Sequence, residues 1–250
     1  MLELSSFFAT SKLKNYYHFS VNDITKVSIT DRRSFVKYFF MKNQRARSKD
    51  EKQKRKEDIL NAALQLLLQK GKIASVQQIA TASKVAKGTI YLYFGSKEEI
   101  YLTLFQQQWD PLFVQINNAV TKKNSQISDI TKTIARYVVE SKFFLPLMAA
   151  CSGMLGRTAD KEVVRSYQQI LAKNLEHSSQ ILHEKFGISH QDGIQIFLRT
   201  YAIIFGMWDV VYMAPNVKQV FAEEKWTAFP SNYEKELHET LHILWAGMLR

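Results

Sequence analysis

The stretch from Ser75 to Lys97 constrains this chain more than any other part of it. Ser75 followed by Gln78 is a capping-box start, the hydroxyl taking an orphan backbone N–H and the glutamine reaching back. Val76, Ile79 and Ala80 then recur at i, i+3 and i+4, one apolar stripe on a short helix. Ala80 is small enough for a second helix to approach closely. A turn is expected over Ser83–Ala86, with Val85 as the apolar plug between helices. From Lys87 a second helix is predicted to run to Phe94, with Ile90 and Phe94 facing inward. Gly95 reads as a left-handed stop, and Ser96 with Glu99 as the capping box of a third helix. Two short helices joined by a tight turn, with a third behind them, form a helix-turn-helix.

The outer face of the second helix carries Lys87, Gly88, Thr89, Tyr91 and Tyr93, small and polar enough to enter a nucleic-acid groove. Gly88 and Thr89 permit close approach to base edges, where a threonine methyl meets thymine and its hydroxyl hydrogen-bonds. Lys87 reaches guanine or phosphate, and the tyrosine hydroxyls suit phosphate oxygens. Lys97 opens the third helix, so its charge joins that helix's dipole in attracting a phosphate. The competing reading, that Tyr91, Tyr93 and Phe94 are core aromatics, is preferred for Phe94. Of the two tyrosines, only one has room to be well buried.

Residues 55–105 resemble the DNA-binding domain of the TetR (tetracycline repressor-like) family. The family's first-helix core and terminal glycine are matched by Ile59, Ala62, Ala63 and Gly71, and its second-helix pair by Ile79 and Ala80. Its recognition signature is matched by Val85, Gly88, Thr89, Tyr91, Tyr93, Phe94, Lys97 and Glu98. Two departures stand out: Lys84 where many members have glycine, and Ala86 where many have a capping serine. Each is expected to cost about 1 kcal/mol. The resemblance implies a transcriptional regulator, usually a repressor, that binds a double-stranded DNA operator as a homodimer. It also implies a C-terminal part that dimerises and holds a small-molecule effector.

Charge agrees with that reading. The chain is 250 residues long with net charge +11, and residues 41–105 carry 13 Lys and Arg against 6 Asp and Glu. Residues 106–250 carry 15 against 14, so the positive charge concentrates beside the predicted recognition unit. A 46% hydrophobic content with four prolines and nine glycines suits an all-α chain. The expected organisation is an N-terminal three-helix DNA-binding domain, residues 41–105 with its basic arm, followed by a helical bundle over 106–250. A single cysteine, Cys151, excludes an internal disulfide framework and fits a cytoplasmic protein. The most apolar run, Ile194 to Met213, is interrupted by Arg199 and Asp209, so no membrane span is expected.

Residues 1–40 show no clear helical period and are read as an upstream extension outside the working protein. Asp31–Lys37 resembles a twin-arginine export signal, but the apolar segment such a signal needs is replaced by Lys42, Arg45, Arg47 and Lys49. A start at Met41 would leave a short basic arm, then Ser48 and Glu51 as the cap of the first helix. Arg45 and Arg47 are the arm's candidates for phosphate or minor-groove contact, the alternative being a disordered basic tail.

Beyond Phe105, Pro111 is expected to kink the long helix leaving the recognition unit. Helices are then predicted at 112–121, 127–144, 146–155, 159–186, 193–213 and 232–249, the last capped by Ser231 and Glu234. Two stripes are candidates for a dimer interface: Ile196, Thr200, Ile203 and Met207, and Leu237, Leu241, Leu244 and Met248. Phe113, Phe143, Phe144, Met148, Cys151, Met154, Phe205, Trp208 and Tyr212 are candidates for an adaptable apolar effector pocket, each set against an ordinary core role. Arg136 and Asp209 read as charges in apolar surroundings, able to orient a ligand or to pair internally. His238-Glu239-Thr240-Leu241-His242 matches the zinc-hydrolase pattern H-E-x-x-H. The interleaved leucines, and the lack of a further His, Asp, Glu or Cys after His242, make an ordinary amphipathic helix the better reading. No catalytic constellation and no cofactor are expected. A DNA-binding protein without an effector, or one regulated by a partner, remains the alternative.

Overall fold

Gly71 and Gly187 both sit in the left-handed region, at φ 63° and 71°, and each ends a long helix by donating its N–H to a carbonyl of the last turn. Stops of this kind, with polar caps at the starts, divide the chain into its helices. The computed structural model describes residues 32–154, 158–211, 215–225 and 232–249; side chains are described from residue 49 on, except those of 210, 211 and 215–218. The helices are α1 (Arg32–Lys70), α2 (Val76–Ala82), α3 (Lys87–Tyr91), α4 (Lys97–Thr121), α5 (Ile127–Glu140), α6 (Phe144–Cys151), α7 (Lys161–Phe186), α8 (His190–Val211), α9 (Pro215–Glu223) and α10 (Tyr233–Met248). No strand occurs among the described residues, and the fold is all-α.

The chain forms two compact units, Met1–Lys54 and Arg55–Arg250. Of the first, α1 supplies the described backbone. That helix already runs at Arg32, so Ser48 lies within it and does not mark its start. The expected arm from Lys42 is helical, while the side chains of Arg45 and Arg47 lie outside those described.

In the second unit one continuous core runs from Ile59 to Trp245. Helix α5 shows how its pieces are recruited: Ile130, Thr131, Ile134, Ala135 and Val138 are buried on one stripe, against α4 and α10. Helix α4 is central, packing on α5, α6 and α7, and it continues through Pro111 instead of starting afresh at 112. The pair α7 and α8 approach closely at Gly193, where a Cβ would lie 2.4 Å from Ser179 Oγ and 3.1 Å from Ser179 Cα. Helix α10 is capped by Asn232, whose Oδ1 accepts from Lys235 N at 3.0 Å; Ser231 lies outside the described residues. Helix α9 was not anticipated.

The two dimer stripes are corrected in part. Ile196, Thr200, Leu237 and Leu241 are buried within the protomer, and Trp245 Nε1 donates to Thr200 Oγ1 at 3.0 Å. They join α8 to α10 of the same chain, because the most apolar face of a helix is claimed first by its own core. The outward faces of α8 and α10 carry instead Ala202, Gly206, Ile243 and Gly247.

Candidate nucleic-acid interface and effector cavity

The recognition unit is built almost as the spacing predicts. Gln78 N donates to Ser75 Oγ at 3.3 Å and Ser75 N to Gln78 Oε1 at 2.9 Å, a complete capping box, so the Ser75 hydroxyl is already engaged by its own helix. Ile79 and Ala80 are buried. In the turn, Ser83 Oγ donates back to Ile79 O at 2.7 Å, and half-buried Val85 packs on the core. Lys84 takes φ 56°, the left-handed conformation in which glycine is at ease. Ala86 occupies the N-cap of α3 in an extended conformation with no side-chain cap bond. Both departures from the family pattern therefore fall where the backbone feels them.

Helix α3 itself is shorter than expected. It ends at Tyr91, and Leu92 N and Tyr93 N donate to carbonyls three residues back, tightening the last turn. Gly95 is not left-handed; its N–H donates to Glu99 Oε2 at 2.6 Å, while Ser96 Oγ accepts from Glu99 N at 3.1 Å. Ile90 and Phe94 face inward at 1% and 2% exposure, Lys56 Nζ lying 5.4 Å from the Phe94 ring centre. On the other side Lys87, Gly88 and Tyr91 are exposed and Thr89 is half-exposed. Tyr93 is half-buried against the core. Leu92, at 77% exposure, stands out beside them and was missed; its place in Tyr-x-Tyr-Phe, off the inward stripe, was the available signal.

The position after Lys87 is open: a Cβ on Gly88 would meet nothing within 4 Å. The protomer does not itself require glycine there. Lys97 stands at the first turn of α4 and pairs loosely with Glu98 at 3.8 Å. Glu98 and Glu99 share that turn, so its positive end is partly offset.

The second site is a cavity of about 220 Å³ between α4, α7 and α8, closed by the end of α6. Helix α4 contributes Phe105, Trp109, Leu112, Phe113 and Ile116; α7 contributes Tyr167, Gln168, Leu171 and Leu175; α8 contributes Phe197, Leu198, Thr200 and Tyr201. Cys151 and Ser152 complete it. Trp109 is the centre of the aromatic wall, with ring centres of Phe105, Phe144, Tyr201 and Phe113 at 5.5, 4.9, 5.7 and 6.1 Å. Burial pushes the Cys151 thiol up to about 12 and raises the Tyr167 and Tyr201 hydroxyls above their ordinary value.

Of the predicted pocket residues, Phe113 and Cys151 line this cavity. Phe144, Met148 and Met154 are buried in the core behind it, and Phe143 is half-buried at the cap of α6. Phe205 stacks on Tyr201 at 6.4 Å, and Trp208 meets Tyr233 edge-on at 5.7 Å. These six aromatic and methionine positions from 143 to 208 serve packing because the faces bearing them turn toward neighbouring helices. Tyr212 lies outside the described residues. Arg136 and Asp209 are exposed, so neither is a buried charge. The missed walls, Phe105, Trp109 and Ile116, share one stripe of α4, which is broken on paper when Pro111 is taken as a helix boundary.

His238 and His242 lie one turn apart on α10, ring centres 6.2 Å apart. Glu239 is exposed and pairs with Lys235 at 4.0 Å, and no group of three His, Cys, Asp or Glu gathers there among the described residues. The donor set is thus two imidazoles, short of a zinc site's usual complement.

Tyr101 joins the two regions. It is fully buried on α4; its hydroxyl accepts from Ala74 N at 3.0 Å and donates to Ala63 O at 3.3 Å. The Cys151 thiol donates to Tyr101 O at 3.5 Å. Tyr101 thus fixes α4 to α1 and to the loop before α2, one turn from the cavity wall at Phe105.

A three-helix recognition unit on a helical core with an internal cavity defines a class of one-component transcriptional regulators. Residues 59–104 match the family described as bacterial regulatory proteins, tetR family, and residues 106–250 match the tetracyclin repressor-like C-terminal domain. The chain belongs to the TetR family of transcriptional regulators. It is 36% identical over 93 residues to the uncharacterized HTH-type transcriptional regulator YuxN of Bacillus subtilis, covering 36% of this chain and 32% of that protein. It is 32% identical over 89 residues to the fatty acid metabolism regulator protein of the same organism, covering 34% of this chain and 46% of that one. The matched stretch thus spans less than half the length of either relative. Among solved structures, the fatty acid degradation regulator FadR from Bacillus halodurans superposes with TM-score 0.51 at 20% identity, covering 78% of this chain and 94% of that one. FadR from Bacillus subtilis, in complex with stearoyl-CoA, gives TM-score 0.51 at 20% identity over 76% and 98%. At these identities the likeness is one of fold.

No helix among the described residues is long and apolar enough to cross a membrane.

Proposed function

We propose that the chain is a cytoplasmic, homodimeric repressor that binds a roughly palindromic operator and is released by a small molecule in the α4–α7–α8 cavity. The observation that carries this is the division of α3 into a buried Ile90 side and an open side of Lys87, Gly88, Thr89 and Tyr91. Such a helix is held rigidly by its neighbours while its polar face stays free for base edges. Lys87 and Thr89 are assigned to base readout, with Gly88 admitting the groove; Tyr91, Tyr93 and Lys97 are assigned to phosphate. Ser75 contributes at the start of α2, and Arg45 and Arg47 are assigned to the flanking backbone. Dimerisation is assigned to the outward faces of α8 and α10, where Ile243 is 74% exposed and Gly247, Ala202 and Gly206 are exposed as well. Two recognition helices about 34–36 Å apart then reach successive major grooves.

Release follows from α4 serving both sites. A ligand that prefers a different seat of α4 against α7 and α8 moves Tyr101, and with it the anchorage of α1 and α2. Only such a difference in affinity between the two arrangements shifts the equilibrium.

The test is selection of bound duplexes from a random pool, followed by footprinting of alanine variants. Replacing Lys87 or Thr89 should change the selected sequence, whereas replacing Tyr93 or Lys97 should weaken all duplexes and flatten the salt dependence. An unchanged footprint with all four replaced removes α3 as the reading helix.

A further inference from the structure

Among the described residues no charged side chain lines the cavity; its polar groups are hydroxyls, one amide, the Trp109 indole N–H and one thiol. An anionic ligand head buried there would lose its water with no cation to replace it. The wall offers the opposite chemistry. Six aromatic rings border the space, and the faces of such rings are negative, attracting a cation within about 6 Å.

The residue after Trp109 extends this asymmetry. Asp110 is half-buried, and its carboxylate accepts from Asn174 Nδ2 at 2.8 Å and from Gln106 Nε2 at 3.4 Å. Both donors are neutral amides, and Asp110 takes part in no ion pair among the described residues. Asp110 and Asn174 are the chain neighbours of the wall residues Trp109 and Leu175, and their bridge joins α4 to α7 without itself lining the cavity. The Tyr167 hydroxyl, raised chiefly by burial, is raised further by Asp110. A carboxylate with no ion-pair partner among the described residues thus lies near an aromatic enclosure whose described lining holds no cation.

We propose that the cavity's ligand is a small lipophilic cation, an aryl- or alkylammonium compound, held by the aromatic wall around Trp109 and oriented by Asp110. This rests on the reading of the cavity as the effector site and narrows it to one chemical class. It also separates this chain from a relative whose ligand bears phosphates, for which the described lining supplies no counter-charge.

Three compounds of similar shape test it on the full-length protein: phenyltrimethylammonium, tert-butylbenzene and benzenesulfonate, positive, neutral and negative, with stearoyl-CoA as a fourth arm. Calorimetric titration should rank the cation tightest, about tenfold above the neutral compound, with the sulfonate weakest. In Asp110→Asn the cation's advantage should fall to about threefold or less while the neutral compound binds as before, which also reports an intact cavity. The proposal is overturned if the neutral compound or the sulfonate binds as tightly as the cation. Tighter binding of stearoyl-CoA, or no binding by any of the first three, overturns it too. Operator release is scored separately. If the sulfonate or stearoyl-CoA binds and frees the DNA, the cavity remains the effector site and the cation class falls. If the cation binds and the operator complex holds, the class stands and release through this cavity falls.

Discussion

The recognition unit and the cavity-bearing helices use the same core in opposite ways. Around α2 and α3 every inward side chain is consumed by packing, and function is left to the outer face. Around α4, α7 and α8 large aromatics meet without filling the space, and about 220 Å³ remains inside. The first arrangement suits a rigid partner such as a duplex, where a preorganised surface limits the ordering cost of binding. The second keeps part of its interior poorly filled, so that a ligand gains contacts the apo protein lacks. Because one core joins them, neither region is energetically private.

The largest effect should come from attacking that shared core at either end. Trp245→Ala, far from the recognition unit, and Phe94→Ala, within it, should each cost about 3–5 kcal/mol. In both cases circular dichroism should follow one transition; two separate transitions would divide the regions. Tyr101→Phe comes next. It strands the buried Ala74 N–H and should cost about 1–3 kcal/mol by urea denaturation. Its operator affinity should become less responsive to any cavity ligand.

Gly88→Ala separates folding from function most cleanly. A Cβ there meets nothing in the free protein, so helix stability should rise by about 0.5–1 kcal/mol. Operator affinity should nevertheless fall; if binding is unchanged, the groove does not approach that backbone. The turn offers the reverse pair. Ala86→Ser restores a cap and Lys84→Gly relieves a left-handed residue, each adding about 1 kcal/mol of stability with little change in sequence preference.

The smallest effect under ordinary conditions concerns Cys151. Burial pushes its thiol up from the ordinary 9.0 to about 12, so the folded state holds that proton after the unfolded state releases it. The resulting stability is complete below pH 9.0 and lost as pH climbs toward 12. Iodoacetamide near neutral pH should leave the native thiol untouched and label it once urea is added. Rapid native labelling would mean the cavity wall opens readily.

The recognition unit was legible because its information is local. Ser75 with Gln78, Ile79 with Ala80, and Val85 before Gly88 and Thr89 each report on neighbours a few residues away, and the capping box and inward stripe formed as read. Even there, the shortened end of α3 and the ordinary backbone of Gly95 escaped the pattern, because bonds from Glu99 and from three-residue turns set them.

The cavity was harder for a different reason. A sequence shows that Phe113, Phe144 and Phe205 are apolar, not which of them meets a neighbour and which meets a gap. Periodicity fixed the all-helical class, the inward faces and the exposed polar helix, since each depends on spacing along one chain segment. Which apolar stripe of α8 and α10 closes the protomer, where 220 Å³ stays unfilled, and how Tyr101 couples both regions were decided by packing. Close packing is a property of distant segments brought together, and no single segment carries it.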